Sequence, residues 1–179
     1  MTIRSITLRK VGAALCVALV GCVLVAGAAN LAGVYINTTV SLPLGIYRTV
    51  EAPIAPGAYV AFCPPETPVF KEAQRRGYLG GGFCPGGYLT MMKQVLAAKG
   101  DRVTVGPEGV RVNGQLALWT AQARADGGGR PLPRYVLDTT LDTGLMLMGE
   151  ASAVSFDSRY FGPVDRARVR AVIKPVLTW

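Results

Sequence analysis

There is no histidine anywhere in the 179 residues. That absence removes every Ser-His-Asp and Cys-His catalytic arrangement and every histidine-ligated metal centre. A hydrolase built from such a chain must activate its nucleophile by another route, and a neutral lysine is one. Serine is scarce as well: Ser5, Ser41, Ser152, Ser155 and Ser158 are the whole set. Charged residues make up 17% of the chain and are missing altogether between Lys10 and Arg48. No glycine run has the spacing of a phosphate-binding loop, and no internal repeat is present, so nucleotide chemistry and solenoid folds are set aside.

The uncharged stretch is the first positive signal. Val11 to Ala29 is almost wholly apolar, and the character continues through Leu31, Val34 and Ile36. About 20 such residues cross a bilayer as a helix. Arg4, Arg9 and Lys10 precede it without an acid, which keeps the N-terminus cytoplasmic and exports the remainder. The organisation expected is a basic N-terminus over 1–10, an anchor or uncleaved signal over 11–34 and an exported domain over 35–179. Two other readings stay open for the segment: a signal cleaved near Ala26-Gly27-Ala28, and a lipoprotein site at Cys22. All three export the rest of the chain. Net charge is +8, and +5 remains after the three cytoplasmic cations. A basic solvated face explains it, with attraction to anionic membrane lipid as the functional alternative. Nucleic acid is not expected as a partner, because no recognition motif accompanies the charge.

The four cysteines divide by compartment. Cys16 and Cys22 lie in the apolar run and read as small buried hydrophobes. Cys63 and Cys84 lie in the exported part, where an oxidising compartment favours a disulfide between them. Neither metal nor cofactor is expected.

Beyond the apolar run, short Val-, Leu-, Ile- and Tyr-rich stretches alternate with Pro and Gly, the pattern of a mainly β domain with a curled or partly closed sheet. Strands are expected at 57–62, 88–96, 102–105, 109–112, 115–119, 145–148 and 166–173, with Asn113-Gly114 as a hairpin turn. Loops are expected over 64–87, with a short helix near 69–76, and over 125–133. In the last strand Arg166, Arg168 and Arg170 alternate with small apolar residues and read as one solvated face.

Among the lysines, Lys93 stands apart. On the strand reading it shares a face with Leu89, Met91 and Val95. Desolvation there disfavours the charged amine and moves it towards the range of a general base; an edge lysine snorkelling to water is the competing reading. Ser41 comes shortly after the apolar run, in a segment that Pro43 and Gly45 shape into a loop; alone it is an ordinary turn serine.

Three ordered blocks change that balance. Ser41-Leu42-Pro43, Lys93 with Gly100-Asp101-Arg102-Val103, and Met148-Gly149 with Ser155-x-Asp157-Ser158-Arg159-Tyr160-Phe161-Gly162 resemble the characteristic blocks of the signal peptidase I (S26) family. The resemblance implies a signal-peptidase-like domain of coiled antiparallel β-sheets behind one N-terminal transmembrane helix. It also implies a serine endopeptidase with Ser41 as nucleophile and Lys93 as base. Thr39 would supply an oxyanion hydroxyl beside the Ser41 N–H, and Ser155 would orient the lysine. Asp157 and Arg159 would form a supporting ion pair.

The chain departs from the family in two places. The family's Gly-Asp-Asn-Arg is here Gly149-Glu150-Ala151-Ser152, and the serine loop has one residue fewer before its proline. The loop Ser-Leu-Pro-Leu-Gly-Ile-Tyr resembles the TraF-type conjugative transfer branch. That likeness implies a bacterial inner-membrane protein whose periplasmic domain matures, or cyclises, a pilin propeptide. A general signal peptidase is the alternative within the family. The cytosolic self-cleaving repressor proteases use the same dyad but lack an anchor, and a non-catalytic scaffold of a secretion or pilus apparatus is the non-enzymatic alternative.

Overall fold

The computed structural model describes residues 10–21, 27, 32–150 and 154–179. It divides into two units, one ending at Tyr35 and the other spanning Ile36–Trp179. In the first, residues 10–21 form a helix, α1. Cys16 is an exposed free thiol on this helix, where the sequence suggests a buried side chain. The anchor expected over 11–34 lies partly outside the described residues, as do Cys22 and the small-residue cleavage site. Among the described residues, no helix is long and apolar enough to cross a membrane.

The rest of the chain is mainly β. In chain order the strands are β1 (Val34–Asn37), β2 (Gly45–Val50), β3 (Tyr59–Phe62), β4 (Gly81–Cys84), β5 (Met91–Ala97), β6 (Arg102–Gly106), β7 (Gly109–Val112), β8 (Gln115–Leu116), β9 (Leu137–Thr140), β10 (Gly144–Met148), β11 (Val164–Asp165) and β12 (Val169–Thr178). Two short helices, α2 (Pro68–Arg75) and α3 (Ser158–Phe161), complete it. One sheet runs β1-β2-β12-β3-β5-β10-β11 and the other β8-β7-β6-β9. From β2 onward neighbouring strands pair antiparallel, and the register shifts in β10 against β5 and in β12 against both β2 and β3. Such irregularities bend a strand and increase its twist, which curls the larger sheet.

Local chemistry accounts for the smaller sheet. Asn113 and Gly114 both adopt positive φ, 52° and 83°, between β7 and β8. That is the pair a two-residue type I′ hairpin demands, and it sets Val112 opposite Gln115. The run Gly-Leu-Met-Leu-Met of β10 is buried on both faces. Leu145 and Leu147 join Val60, Phe62, Val95 and Val172 in one core, while Met146 and Met148 join Val103, Val105 and Val110 in another. β10 is thus the wall shared by the two cores, which explains why its sequence does not alternate.

A third cluster lies under the excursion between β3 and β5. Pro68 opens α2 at a position where its missing N–H is harmless, and Phe70 and Ala73, three residues apart, are its buried stripe. The Cys63–Cys84 disulfide closes this excursion with a Cα–Cα distance of 5.4 Å. Phe70 packs against Phe156 and Phe161, so the stapled excursion supports the segment beyond β10.

Further expectations need correction, among them the loop over 64–87, which contains β4. Gly45 to Val50 is a strand, not part of a loop: β2 pairs with β12 along its whole length. Arg166–Arg168 is a 3-10 turn, because the Asp165 carboxylate accepts the Ala167 N–H and starts a turn in place of an extended run. Trp119 lies outside β8 at φ 59°, a backbone conformation that a strand cannot contain.

Candidate active site

Ser41 lies in the short loop between β1 and β2, and Lys93 is the third residue of β5. The burial pattern of β5 alternates, with Lys93, Val95 and Ala97 on the inner face. Met91 is half-buried; Leu89 precedes the strand and is 52% exposed, so it does not share that face as the sequence suggests. Opposite Lys93 on β3 stands Val60, fully buried. Lys93 itself is 2% exposed. Burial lowers its pKa from the usual lysine value to about 8; the Asp157 carboxylate opposes the shift and the Arg159 guanidinium adds to it.

The Lys93 Nζ stands 2.6 Å from Ser41 Oγ and donates to Ser155 Oγ at 2.7 Å. The two hydroxyls are 3.3 Å apart. A neutral amine has one lone pair and two protons. With one proton committed to Ser155, the lone pair is free to face Ser41, which is the arrangement that removes a hydroxyl proton.

Gly149 makes the approach of these parts possible. A Cβ there would stand 2.6 Å from Ser155 Cβ, 2.7 Å from Ser155 Oγ and 3.3 Å from the Ser41 carbonyl oxygen. The end of β10 is tied to the serine loop through Glu150 N–H, which donates to Ser41 O at 2.8 Å. Burial, together with a hydrogen bond and charge from Glu150, pushes the neighbouring Tyr59 phenol up to about 12.

Asp157 and Arg159 are both essentially buried and paired at 2.8 Å. Asp157 also accepts the N–H groups of Gly149 and Arg159. The Arg159 guanidinium reaches Ser155 O at 3.1 Å and Ala121 O at 3.1 Å. The pair therefore fixes both chain segments that carry Gly149 and Ser155. Through these contacts to the backbone of Gly149 and Ser155 it acts as a positioning element.

Two residues of this site gave no signal by spacing. Asn37, the last residue of β1, is 2% exposed. Its Nδ2 donates to the carbonyls of Thr39 (2.9 Å), Leu42 (2.9 Å) and Pro43 (3.0 Å). Its Oδ1 accepts the Thr39 N–H at 3.1 Å and the Thr39 hydroxyl at 3.0 Å. Tyr47 on β2 donates its phenol to Pro43 O at 2.7 Å. Thr39 thus lies two residues before Ser41, with its hydroxyl proton engaged by Asn37. Among the described residues, no group of histidine, cysteine, aspartate and glutamate side chains could hold a metal ion.

The family model for "Signal peptidase, peptidase S26" matches residues 5–179. A plasmid transfer protein TraF from Escherichia coli is 57% identical over 158 residues, covering 87% of this chain and 89% of its own length. A second E. coli protein of that name is 50% identical over 174 residues, with 96% and 98% covered. A solved signal peptidase I from Enterococcus faecalis is 17% identical at a TM-score of 0.37, over 69% of this chain and 98% of that one.

Proposed function

The chain belongs to the signal peptidase family, peptidase S26, and from that premise we propose that it is a serine endopeptidase maturing a conjugative pilin precursor through a Ser41/Lys93 dyad. The observation that carries the reading is the 2.6 Å approach of Lys93 Nζ, on a lysine 2% exposed, to Ser41 Oγ.

The chemistry proceeds in two halves. Neutral Lys93 takes the Ser41 proton as Oγ bonds to the scissile carbonyl carbon. The oxyanion is held by the Ser41 N–H and the Thr39 hydroxyl. On collapse the C–N bond breaks, and the Lys93 ammonium returns its proton to the leaving amine, which gives an acyl-enzyme on Ser41. A water or a substrate amine, deprotonated by Lys93, then attacks the acyl carbon; the C–Oγ bond breaks and the Lys93 ammonium returns its proton to Ser41 Oγ. Water gives a linear product; the amine of the same chain gives a cyclic one. Ser155 keeps the lysine aimed throughout.

The conjugative assignment rests on the relatives named plasmid transfer protein TraF. The Cys63–Cys84 disulfide accords with an extracytoplasmic domain. Placement of that domain in the periplasm, anchored to the inner membrane by the segment before it, belongs to the same proposal. General removal of signal peptides would use the same dyad on a different substrate.

Co-expression with a tagged pilin-type precursor tests the reading by intact mass spectrometry. Wild type yields a shortened product that Ser41→Ala and Lys93→Ala do not, and a product lighter than the linear one by one water marks cyclisation. Unaltered maturation by both variants overturns the dyad. Trimming of unrelated signal peptides, with the pilin precursor untouched, favours the general peptidase.

A further inference from the structure

Resting on the Ser41/Lys93 reading, we infer that Asn37 is a positioning residue that folds the nucleophile loop and makes the Thr39 hydroxyl selective for the transition state. A buried amide must place all of its polar atoms, and Asn37 places them on one short loop. Its Nδ2 addresses carbonyls on both sides of Ser41, those of Thr39, Leu42 and Pro43, at 2.9–3.0 Å. Two protons serve three carbonyls, so one is shared. The Ser41 carbonyl between them is taken by Glu150 N–H. A loop with no ladder of its own therefore receives its backbone partners largely from one side chain.

The second half of the inference concerns Asn37 Oδ1. It accepts both the N–H and the hydroxyl of Thr39. A hydroxyl has one proton, and while Asn37 holds it, it is not offered to a substrate. A neutral substrate carbonyl is an acceptor no stronger than the Asn37 amide oxygen and gains little by competing. An oxyanion is stronger, because a hydrogen bond to an ionised acceptor is roughly twice as strong as a neutral one. The hydroxyl turns from Asn37 to the oxyanion when charge develops, while the Thr39 N–H remains on Oδ1. Thr39 then stabilises the transition state without tightening the ground state, which raises kcat and leaves KM alone.

Steady-state kinetics of the full chain on the tagged pilin-type precursor test this, with Asn37→Ala, Thr39→Val and the double variant. Each single change lowers kcat by ten-fold or more, with KM within about three-fold, as loss of an oxyanion donor does. The double variant falls short of the product of the two single losses, since part of the Asn37 loss runs through the Thr39 hydroxyl. Asn37→Asp keeps the acceptor and grips the Thr39 proton harder but gives up the Nδ2 donor to the three carbonyls, so its kcat also falls. Thr39→Val, which leaves Asn37 in place, decides the matter if neither Asn37 variant folds, a wild-type kcat there overturning the inference. A wild-type kcat in either Asn37 variant, a loss confined to KM, or additive effects in the double variant overturn the inference. Ser41→Ala and Lys93→Ala run alongside: turnover in these would overturn the dyad itself, whereas dead dyad variants with normal Asn37 variants sink only this inference.

Discussion

The Lys93 side-chain nitrogen and the Ser41 hydroxyl, 52 residues apart in sequence, meet at 2.6 Å where β5 passes beneath the loop between β1 and β2. The lysine is held at a pKa of about 8 by burial. In the free enzyme kcat/KM should therefore rise with pH through a single ionisation near that value and level off above it. A profile flat from pH 6 to pH 10 would be incompatible with Lys93 as base.

The same burial has a stability signature. Unfolded, Lys93 keeps its proton up to its usual pKa of 10.5; folded, only up to about 8. Between those values the unfolded chain binds more protons, so stability rises with pH, and below about pH 8 the penalty is present in full. Its size is on the order of 3 kcal/mol. Lys93→Met removes the penalty and loses the Ser155 hydrogen bond, for a net gain of about 1–2 kcal/mol at pH 7. Thermal unfolding should show the variant melting roughly 2–8 °C higher at pH 7, with the difference closing by pH 10. A variant less stable than wild type at pH 7 would contradict the buried amine.

Much of this site is legible in the sequence, and the part that is not has a physical cause. Lys93 stands out because its two-residue spacing puts it on the same strand face as Val95, the face that the structure buries. The missing histidine narrows the nucleophile's partners on composition alone. Asn37 leaves no such trace, since its value lies in meeting carbonyls two to six residues ahead, a geometry fixed only when the loop closes. β2 hides because only Gly45 and Tyr47 are buried in it while Arg48 and Thr49 are both exposed, a pattern that breaks alternation and also suits a loop. The Arg166–Arg168 segment misleads in the opposite sense: it alternates like a strand but is capped into a turn by Asp165.

Gly149 is a steric requirement of the dyad. The Cβ of Gly149→Ala would fall on the Ser155 side chain and displace the hydroxyl that aims Lys93. Gly149→Ala and Ser155→Ala should lower kcat by comparable factors of about 10²–10³, the range seen when a positioned polar group is lost. Circular dichroism and intact mass check that each variant is folded and oxidised. A Gly149→Ala protein with wild-type kcat would mean that the observed approach is not needed for turnover.

Asp157 and Arg159 should be intolerant of single truncation. Removing either partner leaves a buried charge unpaired and strands backbone groups of Gly149 or Ala121. Asp157→Ala or Arg159→Ala should cost about 3–5 kcal/mol in denaturant unfolding. A loss below about 1 kcal/mol would show that the pair is not buried as described.

The disulfide should contribute stability separable from catalysis. Its closure spans 21 residues, for which the chain-entropy relation gives about 3 kcal/mol. A Cys63→Ser/Cys84→Ser protein should melt roughly 6–12 °C lower while retaining kcat at temperatures where it is folded. Loss of kcat in the folded variant would instead show that the excursion packed on Phe156 is needed to hold Ser155.

The most direct test of the central claim is cleavage of the pilin-type precursor by the purified full chain, comparing wild type with Ser41→Ala and Lys93→Ala after each is shown to be folded. Cleavage by wild type alone, with both variants reduced to background across pH 6–10, is the expected result. Cleavage by either variant at a rate near that of wild type would contradict the assignment of Ser41 and Lys93 as nucleophile and base.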